Sequence, residues 1–133
     1  MRRGLPGSPI GVLGLALALL LAACGLRADI DAVKRSNAPT GIQNEELMNQ
    51  LAGARGQVSW SAEHPEKYKD NPNIILVRAT VDRIGHSGTK HKVVMEWIHN
   101  RQTEKVDMER VVVDGEEKNL LGGAVQLFLL QLD

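Results

Sequence analysis

The chain has 133 residues, with 16 Lys and Arg against 16 Asp and Glu and 43% hydrophobic side chains. That length suits one small domain, and the even charge balance lacks the basic footprint of a nucleic-acid binder. A single cysteine excludes an internal disulfide framework and a multi-thiolate metal site, and an aromatic content of 3% argues against a stacking platform for sugars or bases.

The N-terminus reads in three zones. Arg2 and Arg3 supply a positive start, the run from Ile10 to Ala23 is apolar apart from its glycines, and Ala22 and Ala23 lead directly to Cys24. Taken alone, a lone cysteine at the end of an apolar run fits a membrane span, a reactive thiol, or a point of cleavage and modification. A span needs about 20 apolar residues. Pro6 and Pro9 block extension upstream, and Arg27, Asp29 and Asp31 block it downstream. The layout is instead that of a secretory signal: basic region, apolar region, small residues before the cut.

Leu21-Ala22-Ala23-Cys24 resembles the lipobox of bacterial lipoproteins, a likeness confined to residues 1–26. The resemblance implies that residues 1–23 are a cleaved signal peptide and that the Cys24 thiol carries a diacylglycerol, the new amino terminus being acylated as well. Two or three chains hold firmly where one holds marginally. It also implies an outer-membrane location facing the periplasm, because Gly25 and not Asp follows the cysteine. Loss of Arg2 and Arg3 with the leader makes the remaining chain slightly acidic.

Residues 24–41 are expected to be the lipidated terminus and a flexible tether, since "GLRADIDAVKRSNAPTG" mixes charges with Asn, Pro, Gly and Ser; a short helix from Asp29 to Arg35 is the alternative. A single periplasmic domain is expected over residues 42–133. Its first helix is "TGIQNEELMNQLAGARG", with Thr40 and Gln43 spaced as a capping box, Asn44 as a second possible cap, and Gly56 as the stop. Leu47, Met48 and Leu51 form its apolar face.

The period then changes to two. Gln57 to Trp60 is a short strand candidate, followed by a polar loop containing Pro65 and Pro72. From Ile74 to Ile84, the residues Ile75, Val77, Ala79 and Val81 line one face, as in a half-buried strand. "GHSGTK" turns the chain into a strand from His91 to Asn100, with Val93, Met95 and Trp97 on one side. "NRQTEK" turns it again into Val106 to Val113, whose alternation slips near Arg110 and suggests a bulge or burial on both sides. The last segment, "KNLLGGAVQLFLLQLD", is apolar on nearly every side and reads as a helix buried on the sheet, with a final strand as the competing assignment. The fold class expected is therefore α+β: an N-terminal helix, an antiparallel meander of three to four strands, and a C-terminal apolar helix packed on it.

No catalytic constellation stands out. His86 and His91 flank a turn, but two imidazoles lack further ligands. Gly85-His86-Ser87 starts like a nucleophile elbow, yet Thr89 stands where a second Gly belongs. Glu63 with Glu66 and Glu116 with Glu117 read as exposed acids, and Trp97 shares a parity with Val93 and Met95, as core. No cofactor is expected and no enzyme activity. The expectation is an envelope lipoprotein that binds membrane lipid through acylated Cys24 and serves as a binding or assembly accessory for another envelope protein. Trp60, Leu127, Phe128 and Leu130 are the candidate interface residues. The alternative is a lipoprotein that holds a small apolar ligand or lipid between the sheet and the C-terminal segment.

Overall fold

The computed structural model describes residues 25–119. Five strands form one sheet in the order of the chain: β1 (Gln57–Glu63), β2 (Ile74–Ile84), β3 (Lys90–Asn100), β4 (Lys105–Val113) and β5 (Glu116–Lys118). Every neighbouring pair is antiparallel. The meander expected from the period-two pattern is present, with one strand more than expected and with β1 continuing past Trp60 to Glu63.

Alternation decides the faces. Ile75, Val77, Ala79 and Val81 of β2 are buried, as are their partners Val93, Met95 and Trp97 on β3. The slip near Arg110 is a bulge: Glu96 pairs with Arg110 but Trp97 pairs with Met108, so Glu109 is the extra residue. An extra residue in a period-two ladder flips the parity of everything after it. Met108 and Val111 therefore both reach the core, and Val111 and Val113 are buried while Val112 lies on the other side. After Val113 the chain reverses at Asp114 and Gly115, with φ of 52° and 83°. Positive φ at both central residues makes the tight turn whose twist suits a hairpin, and this turn adds β5.

Among the described residues two α-helices, both preceding the sheet, cover the same face; a 3-10 turn, Glu66–Tyr68, lies between β1 and β2. The first α-helix, α1, includes residues 25–35, and α2 spans Asn44–Ala52. Val33 of α1 and Leu47, Met48, Leu51 and Ala52 of α2 join the sheet residues in one apolar cluster, with Leu26 and Ile30 packed against it. The expected tether is thus corrected: the shorter-helix alternative was nearer, and even it began too late. Leu26, Ile30 and Val33 recur at i, i+4 and i+7, so burying that stripe offsets the cost of ordering the segment.

The capping box is also corrected. Gln43 is the cap residue of α2 and makes no side-chain cap bond. Asn44 turns inward instead, its Nδ2 donating to the Val33 carbonyl at 3.0 Å and joining the two helices. The helix ends at Gly53, with φ of 70°, and not at Gly56. Gly56 instead permits a close approach of backbones, since a Cβ there would collide with the carbonyls of Ala52 and Asp82. The expected C-terminal helix lies outside the described residues.

On the opposite face of the sheet, ion pairs cross all five strands. Glu63, Arg78, Glu96, Arg110 and Glu117 come from β1 to β5 in turn, with separations of 3.3, 2.6, 3.6 and 2.9 Å. Glu96, at the centre, is 6% exposed. Two guanidinium groups flank its carboxylate, which compensates a desolvated charge.

Candidate functional site

Three places on this scaffold combine exposed or reactive side chains with defined geometry: the two ends of β3 and the groove along β1.

At the C-terminal end of β3, Asp29 of α1 is 1% exposed. The His99 Nδ1 lies 2.6 Å from its Oδ1. Arg101 donates from Nε to both carboxylate oxygens, at 3.1 and 3.2 Å, and from Nη2 to Oδ2 at 2.6 Å. The Asp29 carboxylate raises the Arg101 pKa above its ordinary value, chiefly through this hydrogen bonding. An aspartate that orients a histidine is the positioning half of a general-base arrangement. Here the carboxylate is shared with a guanidinium, and Ser36, which lines the same cavity, donates its hydroxyl to the Ala32 carbonyl at 2.9 Å. The cluster acts as a clamp that fastens α1 to the sheet.

At the N-terminal end of the same strand, the His91 Nδ1 lies 2.8 Å from Asp114 Oδ2, and the Lys92 backbone N–H donates to Asp114 Oδ1 at 2.8 Å. These two hydrogen bonds, the imidazole's first, hold the Asp114 carboxyl below the usual aspartate range. This pair is far more exposed than the Asp29 cluster.

The third place is the side of the molecule formed by α1 and β1. Trp60 pairs with Ala79, and its ring reaches over β2 to stack on Trp97, with centroids 5.6 Å apart and planes at 20°. The small side chain of Ala79 leaves room for that reach. Lys34 of α1 lies 5.5 Å from the Trp60 ring centroid, a cation–π arrangement. Leu26, Ile30, Lys34, Trp60 and Ala62 contribute to an open groove of about 630 Å³ between helix and strand. Among the described residues no strand pairs with the outer side of β1. The sequence of this edge, QVSWSAE, holds no Pro, no Lys and no bulge, and its one charge is the terminal Glu63, so it has few of the devices that block edge pairing. The other edge has them: β5 is three residues long and fully charged, and β4 carries the bulge and the charges of "KVDMER".

Of the residues singled out from the sequence, Trp60 is described and half-buried at this groove, and Trp97 is core, 2% exposed. Cys24, Leu127, Phe128 and Leu130 lie outside the described residues. His91 pairs with Asp114, and no group of three or more metal-ligating side chains gathers among the described residues. Sequence reasoning missed Asp29, His99, Arg101 and Lys34. The apolar spacing of Leu26, Ile30 and Val33 was the available signal, since it makes α1 a packed helix and places Asp29 and Lys34 beside the sheet. In comparisons with known families, with curated proteins and with solved structures, no family model, no protein and no structure matches this chain.

Proposed function

We propose that this protein is a lipid-anchored component of the cell envelope, facing the periplasm from the outer membrane, which binds another envelope protein without catalysing a reaction. The observation that carries the reading is the edge of β1, unpaired among the described residues, beside the Trp60 groove. An extended segment of a partner adding to β1 would satisfy the edge by main-chain hydrogen bonds, and its alternate side chains would enter the groove over Trp60 and Ile30. Trp is enriched at binding hot spots because it buries a large area at little entropic cost.

The anchor belongs to this reading through the lipobox of residues 21–24. Because Gly25 is already helical, a lipid on Cys24 would sit one residue from an element packed on the sheet. The Asp29 clamp would then pass the anchor's position to the sheet with little slack. Leu127, Phe128 and Leu130 stay in the proposal as a second contact surface on sequence grounds alone. The alternative, an apolar ligand held between sheet and C-terminal segment, has no observation among the described residues in its favour.

The test is a photoreactive residue at Ser61, on β1, and at Glu116, on the opposite edge, each in the native envelope. The expected result is one reproducible protein adduct from Ser61, lost in Trp60→Ala, and none from Glu116. Equal labelling from both edges, or recovery of bulk lipid alone, would overturn the binding assignment. Separately, Cys24→Ser should leave the protein unprocessed or release it from membranes; an unchanged mass and membrane fraction would refute the anchor.

A further inference from the structure

The N-terminal end of β3 carries a second site. A cavity of about 450 Å³ opens there between the start of β1 and the β2–β3 hairpin, and its walls include Arg55, Arg83, Lys90 and Lys92 against two carboxylates, Asp82 and Asp114. The two arginines are held by backbone oxygens: Arg55 Nη2 donates to the Gly85 carbonyl at 2.6 Å, and Arg83 Nη1 donates to the Leu51 carbonyl at 2.8 Å. The Gly85 carbonyl fixes the Arg55 guanidinium in place without cancelling its charge. Elsewhere Arg78, Arg101 and Arg110 each hold a carboxylate. Among the described residues, by contrast, no carboxylate comes within ion-pair distance of Arg55, Lys90 or Lys92. Of the two acids in the cavity, Asp114 is engaged by His91 and by the Lys92 backbone N–H, and Asp82 faces Lys92 in the β2–β3 ladder.

We propose that this cavity binds a phosphate-type oxyanion, with Arg55, Lys90 and Lys92 as its cationic contacts. A preset guanidinium fork and two exposed lysine ammonium groups match the shape and charge of a phosphoryl group. The site lies at the opposite end of β3 from Gly25, which shares its cavity with His99 and Arg101. Over an 11-residue strand that separation is about 35 Å. It shares no lining residue with the β1 groove and does not depend on the partner proposed there. The phosphoryl group could be borne by a soluble phosphate or by a lipid headgroup of a facing membrane.

Two titrations of the full chain in neutral detergent or neutral liposomes separate these sources. Inorganic phosphate, at ionic strength matched with chloride, should perturb the backbone amides of residues 85–92 saturably. Arg55→Gln with Lys90→Gln should weaken that response by about tenfold or more, as expected for lost charge-assisted hydrogen bonds. Both side chains are exposed, so the double variant should stay folded, its melting temperature lowered by no more than the loss of the Arg55–Gly85 hydrogen bond. Lys69→Gln with Lys105→Gln, the same charge change elsewhere, should have no effect. Binding of phosphatidylglycerol vesicles, lost in the Arg55/Lys90 variant, with no response to inorganic phosphate would support the same site and assign the headgroup as its source. A response equal to that of chloride, no response to either probe, or equal weakening by both double variants would overturn the proposal.

Discussion

His99 and His91 sit on the same face of β3, at opposite ends, and each pairs with an aspartate across 2.6 to 2.8 Å. One pair is buried beneath α1 and shares its carboxylate with Arg101; the other stands open at a hairpin end. The same two functional groups therefore do different jobs. Where water is excluded, Asp29 must be compensated by several donors, and the donors it recruits come from elements distant in the chain, so the cluster fastens a helix to a sheet. Where water is present, the Asp114 pair costs little to form and little to lose, and it leaves the neighbouring lysines available to solvent and to ligands.

The comparison is broken most severely by Asp29→Ala. It removes the shared carboxylate and leaves Arg101 and His99 facing a buried gap, so a loss of about 3–5 kcal/mol is expected, read by urea denaturation. Loss of protection of the α1 amides in hydrogen exchange should accompany it. A variant within about 1 kcal/mol of the parent would show that the clamp carries no such weight.

Asp114→Asn should cost at most about 1 kcal/mol at neutral pH, because the group is half exposed. Its sign with pH follows from the depressed carboxyl. Stabilisation by a carboxylate whose pKa is lowered on folding is complete above the ordinary aspartate range and is lost as pH falls through the lower, folded-state value. Parent and variant should thus differ at neutral pH and converge in acid; curves that diverge on acidification would contradict the assignment. The smallest effect is expected from Lys34→Met, which removes the cation over Trp60 and keeps most of the side chain's packing. About 0.5 kcal/mol is expected, together with a change in tryptophan fluorescence.

Much of the sheet was legible because period two is a local property. Ile75 to Val81 and Val93 to Trp97 alternate clearly enough to place β2, β3 and their core face, and the run Val111-Val112-Val113 signals an irregularity near Arg110, which only the strand pairing resolves as a bulge at Glu109. β5 was also legible in principle, since Asp114-Gly115 is a strong hairpin signal, but three charged residues after it carry no alternation to confirm a strand. α1 was obscured for a different reason. Its apolar stripe is short and interleaved with Arg27, Asp29, Asp31 and Lys34, so the segment reads as soluble chain until its partner surface exists.

The candidate sites divide along the same line. Sequence alone determined the lipobox resemblance, the faces of the long strands, and the choice of Trp60 as an aromatic of interest, because each depends on neighbours a few positions away. Only the tertiary structure decided that Trp60 stacks on Trp97 beneath Lys34, that β1 is a sheet edge without a strand partner among the described residues, and that Arg55, Lys90 and Lys92 share a cavity. Asp29 shows the reason most clearly. It is separated from His99 by 70 positions, and as part of the chain it is an ordinary charged residue of an amphipathic segment. Burial turns it into the anchor point of the helix, and burial is a property of the packed fold.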